Sequence, residues 1–132
     1  MLTLREPPGV LGRIVARTLD DVAARQAARP LAALRDRPDA PRGFAAALRA
    51  PGLSLIAEFK PRSPSRGELR PGASPEALAA AYAPYAAAMS VLCDGPFFGG
   101  GLAKLRAARA VFPGPVLCKD FIVSEYQVRE AA

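Results

Sequence analysis

Two charged residues end an otherwise apolar segment of the sequence, LSLIAEFK at positions 53–60. Glu58 and Lys60 lie two positions apart, so in a β-strand their side chains leave one face while Phe59 leaves the other. A carboxylate and an ammonium group at this spacing can transfer protons or hold an anionic substrate. A salt bridge that fills the interior of the fold is an equally open interpretation.

Lys119 ends a second apolar segment, PVLCK at positions 115–119. Burial lowers the pKa of a lysine and suits it to proton transfer, whereas a nearby carboxylate keeps it charged and suits it to holding an anion. The sequence leaves both roles open for Lys60 and Lys119. Because the sequence contains no histidine, Ser-His and Cys-His catalysis are excluded, and acid–base chemistry falls to Lys, Glu or Asp.

The segment PRSPSRG, at positions 61–67, offers groups that bind phosphate. Ser63 and Ser65 supply hydroxyls, two arginines supply guanidinium groups, and the loop backbone supplies N–H groups. Ser-Pro and Arg-Gly pairs also occur in ordinary turns. The composition of this loop therefore fits a phosphate site and a plain turn alike.

Strand and helix patterns alternate along the rest of the chain, which predicts a parallel sheet with crossover helices. The predicted strands are SLIAEF (54–59), MSVLC (89–93) and PVLCK (115–119), and the predicted helices are SPEALAAAYAPYAA from Ser74, GGLAKLRAARAVF (100–112) and SEYQVREAA from Ser124. Ser74 and Ser124 are typical N-cap residues. The strands are apolar nearly throughout, which predicts burial on both faces.

A helical extension precedes this alternating part. Apolar residues recur at helical spacing between positions 10 and 35, and Pro30 is predicted to break this helix or to start a second short one. The segment GFAAALRAPG predicts a further short helix. We therefore assign residues 1–50 to an N-terminal helical extension and residues 51–132 to the sheet and its helices.

Residues 51–132 are predicted to form the N-terminal part of a (β/α)8 TIM barrel, with about three βα units. The last helix has no stop signal before Ala132, and a complete barrel takes about 250 residues. A small open α/β sheet is the alternative. Functional groups in such barrels gather at the C-terminal ends of the strands, where Glu58, Lys60 and Lys119 lie.

Composition narrows the function classes. The formal net charge is +6 and arginine provides 15 of the 18 basic residues, but the arginines are scattered, which argues against nucleic-acid binding. An anionic small-molecule substrate is compatible with this charge. Cys93 and Cys118 are too far apart for a CxxC motif, so we expect buried free thiols. The sequence has neither a membrane-length apolar segment nor a secretory signal pattern, so we expect a cytoplasmic protein without membrane attachment.

Three blocks of the sequence resemble the indole-3-glycerol phosphate synthase family. They are IAEFKPRSPSRG, SVLCDGPFFGGGLAKL and PVLCKDFIVSEYQVREA, in the order and spacing typical of that family. The resemblance implies a carboxy-lyase of tryptophan biosynthesis. Its reaction converts 1-(2-carboxyphenylamino)-1-deoxyribulose 5-phosphate into indole-3-glycerol phosphate, carbon dioxide and water, without a metal or organic cofactor.

The resemblance also implies roles for single residues. Lys119 matches the general acid that protonates the ketose oxygen during ring closure, Lys60 a lysine that contacts the substrate carboxylate and transfers protons, and Glu58 the carboxylate coupled to it. Ser63 matches a hydroxyl that contacts the phosphate. Phe98 and Phe121 match aromatic residues that pack on the anthranilate ring.

Two departures from the family pattern matter. Cys93 stands where threonine is usual, a change that we expect to affect packing only. The family takes a further catalytic glutamate, an asparagine–arginine pair and its main phosphate loops from later strands, so we expect residues 1–132 alone to be inactive and poorly folded. The complete chain of some family members carries a fused isomerase domain. A non-catalytic half-barrel that binds or assembles with a partner is the alternative function.

Overall fold

A computed structural model describes residues 8–36 and 39–132. The helices are α1 (Gly9–Ala28), a 3-10 turn (Leu31–Ala33), α2 (Phe44–Leu48), α3 (Pro75–Tyr82), α4 (Leu102–Val111) and α5 (Glu125–Ala131). The strands are β1 (Ile56–Phe59), β2 (Arg62–Ser63), β3 (Gly67–Glu68), β4 (Ala88–Leu92) and β5 (Val116–Lys119). The described residues form two compact units: one contains α1 and α5, and the other spans residues 39–120.

The sheet of the second unit consists of three parallel strands in the order β1-β4-β5. Glu58 pairs with Ser90, and Leu92 pairs with Lys119. Helices α3 and α4 follow β1 and β4 along the chain and pack against one another. The predicted α/β fold with parallel strands and crossover helices is therefore confirmed.

The core lies between one face of this sheet and helices α3 and α4. Its fully buried members are Phe59, Ala79, Met89, Val91, Ala108 and Phe112. Burial of both faces is confirmed for β4, whose five residues are all buried. It is wrong for β1 and β5, where Ile56 and Leu117 are 44% and 40% exposed. The two outer strands have a neighbouring strand on one side only, so their second face is less covered.

Local signals fix the helix starts. The Ser74 hydroxyl accepts a hydrogen bond from the backbone N–H of Ala77 at 3.1 Å, which confirms the predicted N-cap of α3. At α5 the Gln127 side chain accepts from the backbone N–H of Ser124 at 3.2 Å, which confirms the predicted start there. The long N-terminal helix ends at Ala28, and the 3-10 turn follows Pro30, as the predicted break requires.

The unit that contains α1 and α5 is held together partly by ion pairs. The Arg25 guanidinium lies 2.9 Å from the Glu130 carboxylate, and the Tyr126 hydroxyl donates to the Arg25 carbonyl at 3.3 Å. Tyr126 is 3% exposed. These contacts join the first and last described helices of the chain.

The segment PRSPSRG is not a plain loop. Strands β2 and β3 form a short antiparallel hairpin in which Arg62 pairs with Glu68 and Ser63 pairs with Gly67. Gly67 has φ +64°, in the left-handed region that glycine adopts without strain. The turn dipeptides of this segment thus make a hairpin directly after β1.

Candidate functional site

Strand register places three charged residues and one serine on one face of the sheet, which we call the charged face: Glu58, Lys60, Lys119 and Ser90. Glu58 and Ser90 are paired and therefore share a face. Lys60 lies two residues after Glu58 on that same face, and Lys119 lies there through its pairing with Leu92. Phe59, Val91 and Cys118 occupy the opposite, helix-covered face.

The Glu58 carboxylate has two partners on the charged face. One oxygen lies 3.6 Å from the Lys60 ammonium, and the other accepts a hydrogen bond from the Ser90 hydroxyl at 3.2 Å. The side chains of Lys60 and Glu58 are 40% and 32% exposed. An ion pair with this exposure contributes at most about 1 kcal/mol to stability, and both groups can be reached by a ligand. The pair therefore does not fill a closed interior in this structure.

Ser90 is the residue of this cluster that the sequence patterns did not single out. It is 4% exposed and lies in the middle of the fully buried strand β4. The only signal in the sequence is a hydroxyl within an otherwise apolar strand. Its partner follows from strand pairing, which a sequence pattern does not specify.

Lys60 and Lys119 approach the charged face from opposite sides of β4. Lys60 follows Phe59, whose partner is Val91, so its backbone is level with Leu92. Lys119 pairs with Leu92 from the other side. The two backbones are thus separated by two interstrand spacings, about 9.6 Å. Two long cationic side chains at this separation can bind the two ends of one small anion-bearing molecule.

The hairpin and the loop after β4 carry two further predicted residues. The hydroxyls of Ser63 and Ser65 lie 3.4 Å apart on the hairpin. Phe98 belongs to the loop of residues 94–101, where its backbone N–H donates to the Asp94 carboxylate at 3.0 Å. Arg62 donates to the backbone carbonyls of Gly95 and Pro96, so its guanidinium binds the neighbouring loop.

Phe121 lies in the unit that contains α1 and α5. Its backbone carbonyl accepts a hydrogen bond from the Gln127 side-chain amide at 2.9 Å. Gln127 is itself 3% exposed. The segment that follows Lys119 is thereby fixed to the start of α5.

Both cysteines are free thiols, as expected. Cys93 is buried, and Cys118 is half-buried. A hydrogen bond with the Cys118 thiol, reinforced by burial, raises the pKa of the Cys93 thiol above its ordinary value of 9.0. Cys93 is therefore a protonated packing residue on the helix-covered side of the sheet, away from the charged face.

Two classes of site are absent from the part of the chain that the structure describes. No helix there is long and apolar enough to cross a bilayer. Within the same residues, no cluster of three or more His, Cys, Asp or Glu side chains is arranged to hold a metal ion.

A parallel sheet with crossover helices and with charged groups where its strands end defines an α/β protein of the class that binds ligands at that edge. The family model for indole-3-glycerol phosphate synthase matches residues 11–132, and the chain belongs to this family. The sequence resemblance is thus confirmed.

Curated relatives agree with the family match. The chain is 48% identical over 126 residues to the indole-3-glycerol phosphate synthase of Saccharopolyspora erythraea, covering 92% of this chain and 47% of that relative. It is 53% identical over 116 residues to the synthase of a Parafrankia species, covering 84% and 43%. For a Nocardioides relative of the same name the identity is 51% over 126 residues, covering 92% and 48%. The chain spans about half the length of these relatives.

Proposed function

We propose that this chain supplies the N-terminal part of an indole-3-glycerol phosphate synthase, the carboxy-lyase of tryptophan biosynthesis. The observation that carries the proposal is the charged face. Lys60 and Lys119 flank Leu92 on one face of the sheet, and Glu58 lies 3.6 Å from Lys60. These residues fall within the family match over residues 11–132.

The proposed reaction closes a pyrrole ring on 1-(2-carboxyphenylamino)-1-deoxyribulose 5-phosphate. The ring carbon that bears the carboxylate attacks the ketose carbonyl carbon, and the Lys119 ammonium gives its proton to the carbonyl oxygen as the new C–C bond forms. Loss of carbon dioxide and then of water gives indole-3-glycerol phosphate. A placed acid of this kind contributes about 10² to 10⁴-fold to the rate.

Lys60 and Glu58 act together in this proposal. Lys60 holds the substrate carboxylate before it leaves and transfers protons afterwards, and Glu58 keeps the Lys60 ammonium oriented. The Ser90 hydroxyl supports this role because it fixes the second oxygen of Glu58 at 3.2 Å. Holding the reacting carbons together in a prearranged site supplies a further part of the rate.

Binding of the substrate is assigned to three more residues. Ser63 contacts the phosphate, and Phe98 and Phe121 pack on the anthranilate ring. The net charge of +6 suits an anionic phosphorylated small molecule. The proposed chemistry uses no metal or organic cofactor, nucleic acid or membrane, and we place it in the cytoplasm, with a fused isomerase domain as an added module in some complete chains of the family.

The finer architecture belongs to the same proposal. Residues 51–132 make up about three βα units of a (β/α)8 TIM barrel, and residues 1–50 form a helical extension ahead of it. The three parallel strands and their helices support this assignment. So does the length of the chain, which covers 47% of the Saccharopolyspora relative.

A chimera tests the function. Residues 1–132 are joined to the part of the Saccharopolyspora relative that follows the matched residues; we refer to this protein as the chimera. We expect it to rescue a tryptophan auxotroph that lacks the synthase, and we expect Lys119→Ala to lower kcat by about 10² to 10⁴-fold without unfolding it.

The matched control is Arg106→Ala, which removes a cation from an exposed position of α4. It should leave turnover unchanged. A folded chimera without turnover, or a Lys119→Ala variant with near-normal kcat, would contradict the proposal.

The second candidate function is that of a non-catalytic assembly module, which the exposed apolar side chains beside the sheet favour. Leu55, Ile56 and Leu117 are 51%, 44% and 40% exposed, which suits a surface covered by a second copy of the chain. This candidate predicts a stable, soluble oligomer of residues 1–132 in analytical ultracentrifugation, together with an inactive chimera.

A further inference from the structure

The loop between β4 and α4, residues 94–101, is fastened by side chains on both of its flanks. The Asp94 carboxylate accepts from the backbone N–H groups of Phe97 and Phe98 at 2.8 and 3.0 Å. On the other flank the Lys104 ammonium of α4 donates to the Gly99 carbonyl at 2.6 Å. The Asp94 contacts order the first half of the loop, and the Lys104 contact fixes Gly99 to α4.

Arg62 connects the same loop to a different element, the hairpin after β1. Its side chain donates to the carbonyls of Gly95 and Pro96, the first at 3.2 Å. Its backbone N–H donates to the Phe98 carbonyl at 3.3 Å. One residue of the hairpin thus donates to three residues of the loop.

The stem of Arg62 adds a packing contact. A Cβ placed on Gly99 would lie 3.3 Å from Cγ of Arg62, and Gly99 has φ +65°. The methylene groups of Arg62 therefore lie directly against the loop backbone at a position where glycine is favoured for its conformation. Arg62 therefore contacts the loop through packing of its methylene groups as well as through hydrogen bonds.

The state of one guanidinium nitrogen, Nε of Arg62, indicates a positioning role. Nε of Arg62 is buried and has no hydrogen-bond partner among the described residues. A buried donor without a partner lowers stability. Stability alone therefore does not account for Arg62, whereas a role in placing the hairpin relative to the loop of residues 94–101 does.

We propose that Arg62 is a positioning residue. It sets the distance between the β2–β3 hairpin, which carries Ser63, and the loop of residues 94–101, which carries Phe98. This inference rests on the proposed function, in which Ser63 contacts the phosphate and Phe98 packs on the ring. Arg62 is adjacent to Ser63 in the chain and bonded to the Phe98 carbonyl, so it fixes two binding groups relative to each other. Lys119 lies in β5 and Lys60 directly follows β1, so the sheet positions both lysines.

Steady-state kinetics of the chimera test this role. Arg62→Met keeps an apolar stem and removes the donors. We expect KM to rise 10- to 100-fold while kcat stays within threefold, because binding groups move and reacting groups do not. Arg62→Lys should fall between parent and Arg62→Met, since an ammonium lacks the planar fork that reaches two carbonyls. Arg106→Met, at the exposed position of α4, should change neither constant. An unchanged KM, or a fall in kcat as large as that in kcat/KM, would overturn the proposal.

Hydrogen–deuterium exchange provides a readout that does not need turnover. The amides of Phe97, Gly99 and Gly100 are hydrogen-bonded within the loop. In the chimera, Arg62→Met should speed their exchange at least tenfold, and Arg106→Met should not. If the parent chimera is folded but inactive, the proposed function fails while exchange still decides whether Arg62 holds the loop. Unchanged exchange would overturn the inference whatever the activity.

Discussion

The Ser90 hydroxyl donates a hydrogen bond to Glu58 at 3.2 Å across the pairing of β4 with β1. Ser90 is buried, whereas the Glu58 side chain is about one third exposed. The carboxylate is therefore anchored from the neighbouring strand, and its other oxygen is directed to Lys60 at 3.6 Å. The position of the Glu58 carboxylate therefore depends on the pairing of β4 with β1 as well as on the Glu58 backbone.

Removal of the Ser90 hydroxyl should impair turnover. We expect Ser90→Ala to lower kcat of the chimera about tenfold, because a hydrogen bond to a charged group is worth about 1.5–3 kcal/mol and about 1.4 kcal/mol corresponds to tenfold in rate. Ser54→Ala is the control, since the Ser54 hydroxyl donates to the Leu48 carbonyl at 3.4 Å and lies outside the charged face. Equal kcat for the two variants would exclude this anchoring role.

Cys93 should be unreactive in the folded protein. Its raised pKa means that the folded thiol keeps its proton where the unfolded thiol loses it. This contribution to stability is complete below the ordinary pKa of 9.0 and is lost as the pH rises above it.

Iodoacetamide labelling at pH 8, followed by peptide mass spectrometry, measures this difference. We expect Cys93 to react roughly 100-fold more slowly in the folded chimera than in urea, since the thiolate is the nucleophile. Cys93→Thr, which carries the residue usual in the family, should lose this site's part of the decline in stability at high pH. Equal labelling rates with and without urea would show the prediction to be wrong.

Gly100 should not tolerate a side chain. A Cβ at this position would lie 2.0 Å from the Leu92 carbonyl oxygen, whereas a Cβ at Gly95 would find its nearest neighbour at 3.9 Å. We expect Gly100→Ala to lower the free energy of unfolding by about 3 kcal/mol, at the upper end for overpacking. Gly95→Ala should stay within about 0.5 kcal/mol of the parent. Urea unfolding of the two chimera variants measures the difference, and equal midpoints would contradict the close approach.

Arg42 should stabilise the end of α4. Its guanidinium donates to the Phe112 carbonyl at 2.5 Å and to the Arg109 and Gly114 carbonyls at 3.2 Å. These acceptors lie at the C-terminus of the helix, where a cation is favourable. We expect Arg42→Ala to cost about 1–2 kcal/mol, seen as a lower Tm, while Arg49→Ala, an exposed control, stays near the parent. An Arg42→Ala variant with parental Tm would argue against this contact.

Residues 1–132 expressed alone should show no synthase turnover and no sharp cooperative melt. Leu53 is fully exposed, and Leu55 and Ile56 are about half exposed, so apolar surface beside β1 remains in contact with water. Strong binding of a hydrophobic dye by the isolated polypeptide, and its loss in the chimera, would agree with this expectation. Turnover by the isolated polypeptide, or a steep two-state melt, would refute it.

The sequence predicted the elements whose signals are local. Ser74 followed by Pro75 specifies a helix start wherever the segment lies, and the alternation of strands and helices specifies a parallel sheet. The positions of Glu58 and Lys60 on one face follow from the period of a strand. These features need only neighbouring residues.

Features that depend on contacts between distant segments were not predicted. The Ser90–Glu58 bond joins residues 32 positions apart. The residue type of Arg62 suggested an anion ligand, but its guanidinium donates to a carbonyl of the loop of residues 94–101. The hairpin at Ser63 was missed because its residues equally suit an ordinary turn.

The strand order β1-β4-β5 has a consequence for how this family can vary. Backbone hydrogen bonding fixes the distance between β1, which precedes Lys60, and β5, which contains Lys119, at a whole number of interstrand spacings of about 4.8 Å. Mutation cannot shift such a gap gradually. Adaptation to a larger or smaller molecule must therefore proceed through the reach of individual side chains, while the scaffold beneath them stays constant.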